Sequence, residues 1–267
     1  MTNRLKSMQW AAMRLLLRSV GRLSEGVRIG YRHGFDSGSM LDYVYVDKAH
    51  GALGVGRIID RVYLNAVGWR AIRARRELLK DVLRKEIAER GGDVFVLDVA
   101  SGPGRYLQDL VEEHGDGPET SLRVECRDLD RAGLAQGKER ARVRGLEGIS
   151  YVHGNALDPL PCDRAPDVIV VSGLYELLLD DAVIAASVDR LRGLLAPGGV
   201  LVCTTQTRHP QLEFIANVLP NRDGALWVMK CRPVELAEEW AAAAGCTGVI
   251  TSRRESVGLF TVTTARR

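Results

Sequence analysis

VFVLDVASGPGRY, Val94–Tyr106, is the stretch that decides the fold. Its first half is a continuous apolar run, the kind buried on both faces of a parallel sheet. Its second half is a turn in which Gly102 and Gly104 remove side chains where backbone must bend tightly and approach a ligand. A helix over Tyr106–Glu113 is expected to follow. Outward from this unit the pattern repeats. LRVECRDLD (122–130) reads as a second strand with a helix, Leu134–Arg144, behind it. ISYVHGNAL (149–157) and PDVIVVSGL (166–174) read as the third and fourth strands. Val183–Leu195 is amphipathic and stops at Ala196-Pro197-Gly198-Gly199, ahead of a fifth strand, VLVCTTQT (200–207). Two helices, PQLEFIANVL (210–219) and PVELAEEWAAAAG (233–245), precede a tail (247–267) that reads as two strands around Gly258. Repeated βα units predict an α/β fold, a doubly wound Rossmann-like sheet of seven strands, mostly parallel with an antiparallel last strand.

Upstream the grammar is helical. Apolar spacing over 56–87 predicts a helix broken near Gly68 and stopped by Gly91-Gly92. Between Phe35 and Val55 that spacing disappears, and a loop with local turns is expected. Leu5, Met8, Ala12, Leu16, Val20, Leu23 and Val27 recur at helical steps, with Arg14, Arg18 and Arg22 on another face. The chain is therefore divided into a helical N-terminal extension or lid, 1–92, and a ligand-binding domain, 93–267.

Composition bounds the class. The chain has 267 residues, 46% of them apolar and 27% charged, enough to bury a large core and too apolar for disorder. Five cysteines form no C-x-x-C, so neither a disulfide scaffold nor a zinc site is expected, and no metal is assigned. No apolar run approaches a membrane span and no secretory leader is recognisable, so a cytoplasmic protein is the expectation. Net charge is only +3, but residues 1–32 hold seven cations and one acid, Glu25. Such a basic amphipathic segment fits an anionic membrane surface, at the inner face of the membrane. It equally fits a helix packed on its own domain with its arginine face in water.

Ligands of open α/β sheets lie beyond the carboxyl ends of the strands. There the turn Asp98-Val99-Ala100-Ser101-Gly102-Pro103-Gly104 faces Asp128 at the tip of the second strand, where an acid can accept from both ribose hydroxyls. The nicotinamide fingerprint wants a third glycine, and Leu107 stands there. Asp98 would repel a pyrophosphate, yet it suits a sulfonium and an amino-acid ammonium. S-adenosylmethionine is therefore the expected cofactor, with S-adenosylhomocysteine as product.

At this point VLDVASGPGRY, RDLD and LLAPGGVLV resemble the motifs of class I S-adenosylmethionine-dependent methyltransferases, from about Val94 to the end. GFDSGSMLDYVY, IDRVYLNAVGWR, SGLYELL and RHPQLEFIANVL resemble more narrowly a bacterial methyltransferase family, some members of which are fused to α/β hydrolases. The resemblance implies that Asp98, Ala100, Ser101, Gly102 and Gly104 hold the methionine part, and Asp128 the ribose. Asn155-Ala156-Leu157 would meet the adenine, Leu129 its other face, and Ser172 the reaction centre. Two positions depart from the pattern. Ala100 stands where glycine is usual, tolerable if its φ is negative, and Asn155 stands where aspartate is usual.

Methyl transfer is helped mostly by positioning, with a base only where the acceptor is protonated. His209, after the fifth strand, is either that base or a cap for the helix that Pro210 starts. Tyr175 and Glu176 either orient the acceptor or pack their loop. Tyr106 either shapes the cleft or packs on its helix. His33, Asp36 and Tyr43, with Asp42 and Tyr45, either fold over the site as a lid for a polar or cationic acceptor or form a structural loop. No N-P-P-Y or D-P-P-Y follows the fourth strand, which argues against nucleobase amino-methylation. A nucleic-acid partner is not expected, because the Arg70–Arg90 stretch mixes its cations with acids. The expected function is methyl transfer to a small-molecule or lipid-like acceptor, with a homodimer admitted. The rivals are a small-metabolite methyltransferase with a lid or dimerisation helix, and a non-catalytic S-adenosylmethionine-binding scaffold.

Overall fold

Buried runs become strands, and the amphipathic stretches between them become helices. The computed structural model describes residues 2–115, 121–158 and 161–267. Its elements begin with α1 (Thr2–Arg18), a 3-10 turn (Val20–Leu23), α2 (Glu25–His33), α3 (Gly38–Val46), α4 (Val55–Leu64) and α5 (Val67–Arg90). Then come β1 (Asp93–Asp98), α6 (Arg105–His114), β2 (Ser121–Asp128), α7 (Arg131–Val143), β3 (Ile149–His153) and β4 (Val168–Val171). They continue with α8 (Asp181–Leu194), β5 (Val200–Gln206), α9 (Leu212–Val218), α10 (Val234–Ala243), β6 (Ile250–Arg254) and β7 (Phe260–Arg266). The chain divides into two compact units, one of Met1–Arg73 with His209–Met229, the other of Ala74–Arg208 with Lys230–Arg267.

The second unit is a seven-stranded sheet in the order β3-β2-β1-β4-β5-β7-β6. β1 pairs in parallel with β2 on one side and β4 on the other, so the strand order reverses at its carboxyl end. Only β7 runs antiparallel, between β5 and β6, as the sequence predicts. Alternation along β1 makes two cores. Val94 and Val96 pack with Leu79, Leu83, Leu107 and Val124, whereas Phe95 and Leu97 pack with Ile184, Leu191, Leu201 and Trp240. Helices thus cover both faces, which is why the strands read as unbroken apolar runs.

In the first unit the structure corrects three expectations. The segment read as a loop contains α3, started by Ser37, whose Oγ accepts from the Met40 amide at 3.1 Å. Met40 and Val44 are buried, so tertiary burial supplied a helix that periodicity in so short a window does not show. The single periodic helix of 5–27 is broken into α1, the 3-10 turn and α2. Ser24 caps α2, and the buried Asp60 accepts from Ser24 Oγ at 2.6 Å and from the Gly26 amide at 2.8 Å. The break between α4 and α5 falls at Asn65-Ala66 rather than at Gly68. Gly68 lies inside α5, and the His209 ring comes within 2.7 Å of where a Cβ would stand, so the close approach needs a residue without a side chain.

α1 packs on α9, with Trp10 edge-on to Phe214 and Arg14 donating to the Asn217 carbonyl at 2.6 Å. Leu5, Met8, Leu15 and Leu16 face outward instead. Among the described residues no helix is long and apolar enough to cross a membrane.

Candidate functional site

β1 ends at Asp98, and the chain turns through 99–104 before α6 begins at Arg105. The Val99 amide still donates to Val170 of β4 at 3.1 Å, so the turn leaves from the sheet rather than from a free loop. Gly102 and Gly104 have φ of 54° and 65°, the left-handed region that L side chains avoid. At Gly104 a Cβ would also stand 2.7 Å from Cys126 Sγ. Ala100 is not among the described residues with positive φ, so its methyl group is compatible with the turn.

Asp128 ties the turn to β2. Its Oδ2 accepts from the Gly102 amide at 2.8 Å and its Oδ1 from the Asp130 amide at 2.8 Å. Each carboxylate oxygen accepts more than one hydrogen bond, so a ribose diol can still be taken. The Ser101 amide donates to the Arg127 carbonyl at 3.0 Å, and the Gly154 amide to the Asp128 carbonyl at 3.1 Å. These bonds bring the turn, the tip of β2 and the start of 154–158 together. In that last segment Asn155 Oδ1 accepts from the Leu157 amide at 3.0 Å and Ala156 is buried, while Leu129 is exposed beside Asp128. Ser172 follows β4 directly and is half-buried.

Asp98 is fully buried. One carboxyl oxygen accepts from the Ala100 amide at 3.1 Å and the other from the Tyr106 hydroxyl. Loss of water pushes its pKa up to about 7, with the Asp128 charge adding to the shift and the two hydrogen bonds opposing it. The turn thus brings two acids, the buried Asp98 and the half-buried Asp128, to the carboxyl ends of β1 and β2.

The remaining sequence candidates make the following contacts. Tyr106 is buried with its hydroxyl on Asp98, so it supports the turn from within. Tyr175 is buried, 3.3 Å from Ser187 Oγ. Glu176 is buried and pairs at 3.0 Å with Arg75. The Arg75 guanidinium lies 4.7 Å over the Phe260 ring. Neither Tyr175 nor Glu176 reaches the surface. His209 belongs to the first unit, where its Nδ1 accepts from the Gln211 amide at 3.1 Å at the start of α9. Burial lowers its pKa, which favours the neutral imidazole. Tyr43 donates to Asp60, Asp36 accepts from the Arg222 amide at 2.7 Å, and His33 ends α2. All three are in the first unit.

Sequence reasoning missed what stands behind the turn. Gln108 of α6 donates to the Gly137 carbonyl at 2.8 Å and to the Tyr151 hydroxyl at 2.6 Å. Gly137 lets α7 approach, since a Cβ there would stand 2.4 Å from the Pro103 carbonyl. A glycine in the middle of a predicted helix was the available signal.

A family model described as "Putative methyltransferase" matches residues 1–267. An uncharacterised protein of Escherichia coli K12, YnbC, is 37% identical over 263 residues, 96% of this chain and 44% of that protein. A demethylmenaquinone methyltransferase of Geobacillus stearothermophilus is 29% identical over 134 residues, 50% of this chain and 53% of that one. The chain thus spans about half the length of the curated relatives it matches. Among solved structures, one described as a possible exported protein from Bordetella parapertussis superposes with a TM-score of 0.71 at 20% identity, covering 98% of this chain and 96% of that one. By its strand order, by the turn that ends β1 and by the full-length match, the chain belongs to this family of methyltransferases.

Proposed function

We propose that this protein transfers the methyl group of S-adenosylmethionine to an amphiphilic, lipid-like acceptor. Bound at the β1 turn, the cofactor supplies a methyl group made electrophilic by its sulfonium. The chain's own part is positioning. Asp98 takes the ammonium, the turn amides and Asp128 hold the methionine and ribose parts, and Asn155, Leu157 and Leu129 border the adenine. The hydrogen bond from the Gly102 amide to Asp128 carries the cofactor half of this reading, because one contact sets both the turn and the ribose acid.

The acceptor half rests on the apolar side chains that the helical unit turns outward, Leu5, Met8, Leu15 and Leu16 among them. A relative named for demethylmenaquinone accords with that chemistry. Incubation with methyl-labelled S-adenosylmethionine and a total cell extract tests it. Label should enter the lipid phase, and label confined to water-soluble products would replace the acceptor with a small metabolite. Binding of S-adenosylhomocysteine by calorimetry, without any acceptor, tests the cofactor half separately.

A further inference from the structure

The outward surface of the helical unit has a second apolar stripe, on α4. Val55, Ile58 and Val62 follow one another at helical steps, and Ile58 and Val62 are 67% and 70% exposed. Just before the helix, Leu53 is 87% exposed at φ 57°, a left-handed conformation costly for a leucine. A loop that holds an unfavourable backbone angle while showing its largest apolar side chain to water is unexplained by packing. Beside the stripe stand Arg57 and Arg61, both exposed, with Arg61 3.6 Å from Asp47. The only acid on α4 is Asp60, and it is buried among Ser24, Gly26, Tyr43 and His50. α1 has the same composition. Met8 and Leu15 are 69% and 70% exposed, Arg4 and Arg18 share their side, and the helix contains no acid.

We propose that Leu53 and the Val55–Ile58–Val62 stripe of α4, assisted by α1, dock this unit on an anionic lipid surface. Aliphatic side chains enter the acyl boundary while the flanking arginines meet phosphate headgroups. Charge chooses this occupant. A second copy of the same face would set arginines against arginines, and a nucleic acid would leave the aliphatic side chains in water. The inference deepens the amphiphilic-acceptor reading and rests on it, since it places the enzyme where such an acceptor resides.

Flotation of the full chain with vesicles tests it, using phosphatidylcholine alone and phosphatidylcholine mixed with phosphatidylglycerol. The protein should float only with the mixed vesicles, and added salt should release it. The pairs Ile58→Glu/Val62→Glu and Arg57→Glu/Arg61→Glu should each cut the bound fraction by about tenfold. Their far-ultraviolet circular dichroism and thermal melt should match those of the native chain, which shows that the helical unit remains folded. Absence of flotation, equal flotation on both vesicles, or flotation undiminished by both variant pairs would overturn the proposal. So would exclusive capture by an acidic protein surface. Failures of the two readings separate cleanly. Vesicle binding with label only in water-soluble products removes the lipid-like acceptor, whereas lipid labelling without vesicle binding removes only the surface.

Discussion

In the proposed binding mode Asp98 holds the cofactor's ammonium, and a buried carboxyl must be ionised to do so. Its pKa of about 7 in the folded chain stands above the 3.8 of a free aspartate side chain. Between those values the folded state binds the extra proton, so this group's contribution to stability falls as pH rises from about 4 to about 7. Cofactor affinity should move the other way and be about tenfold tighter at pH 8 than at pH 6, since one proton must leave. Calorimetry at the two pH values reads this, and Asp98→Asn should be weaker and flat. Equal affinities for the native chain would remove the cation from Asp98. At Gly104 the positive φ and the nearby Cys126 Sγ act together. Gly104→Ala should cost about 2 kcal/mol or more of stability. Adding Cys126→Ala should recover only the steric part, and a thermal melt showing full recovery would leave no role for the backbone angle. The turn itself was legible in residues 94–106, because the needs of a strand end and a tight bend are local. Cys126 behind it was not, since nothing in the spacing shows which side chain faces Gly104.

Elements show where local reading stops. The break between α1 and α2 has a visible cap, Ser24, but periodicity runs straight through it. What enforces the break is Asp60, 36 residues away, which receives the Ser24 hydroxyl, the Gly26 and His50 amides and the Tyr43 hydroxyl. Asp60→Ala leaves four donors without their acceptor and should cost about 3 kcal/mol or more. Far-ultraviolet circular dichroism should show helix lost before the sheet unit melts, and an unchanged melt would show that the network is dispensable. α3 was read as a loop because a short helix with three tyrosine and aspartate neighbours has little period of its own. Burial of Met40 and Val44 decided it.

At the scale of the whole molecule, two compact units draw on distant stretches of chain. His209–Met229 belongs with Met1–Arg73, where Trp227 stacks on Trp69 with ring centroids 6.3 Å apart. A chain beginning at Ala74 should therefore expose Ile215, Val218 and Trp227 and aggregate, which size-exclusion chromatography would report. In the sheet unit the buried Arg75–Glu176 pair joins residues 101 positions apart. Arg75→Met or Glu176→Leu alone should each cost about 3 kcal/mol or more, while the two together should cost less than either. Urea melts of the three variants test this, and additive losses would mean that the groups stand independently.

From β1 onward the sequence by itself determined the order of strands and helices, the glycine turn and the two acids beside it. Each follows from patterns within a few residues, the reach of hydrogen bonding and side-chain alternation along one element. Only the tertiary structure decided that Glu176 meets Arg75, that Tyr106 supports Asp98, and that α1 and α4 turn apolar faces outward. Those outcomes depend on which distant surfaces pack together, and burial of one face against another is a long-range choice that no local spacing records.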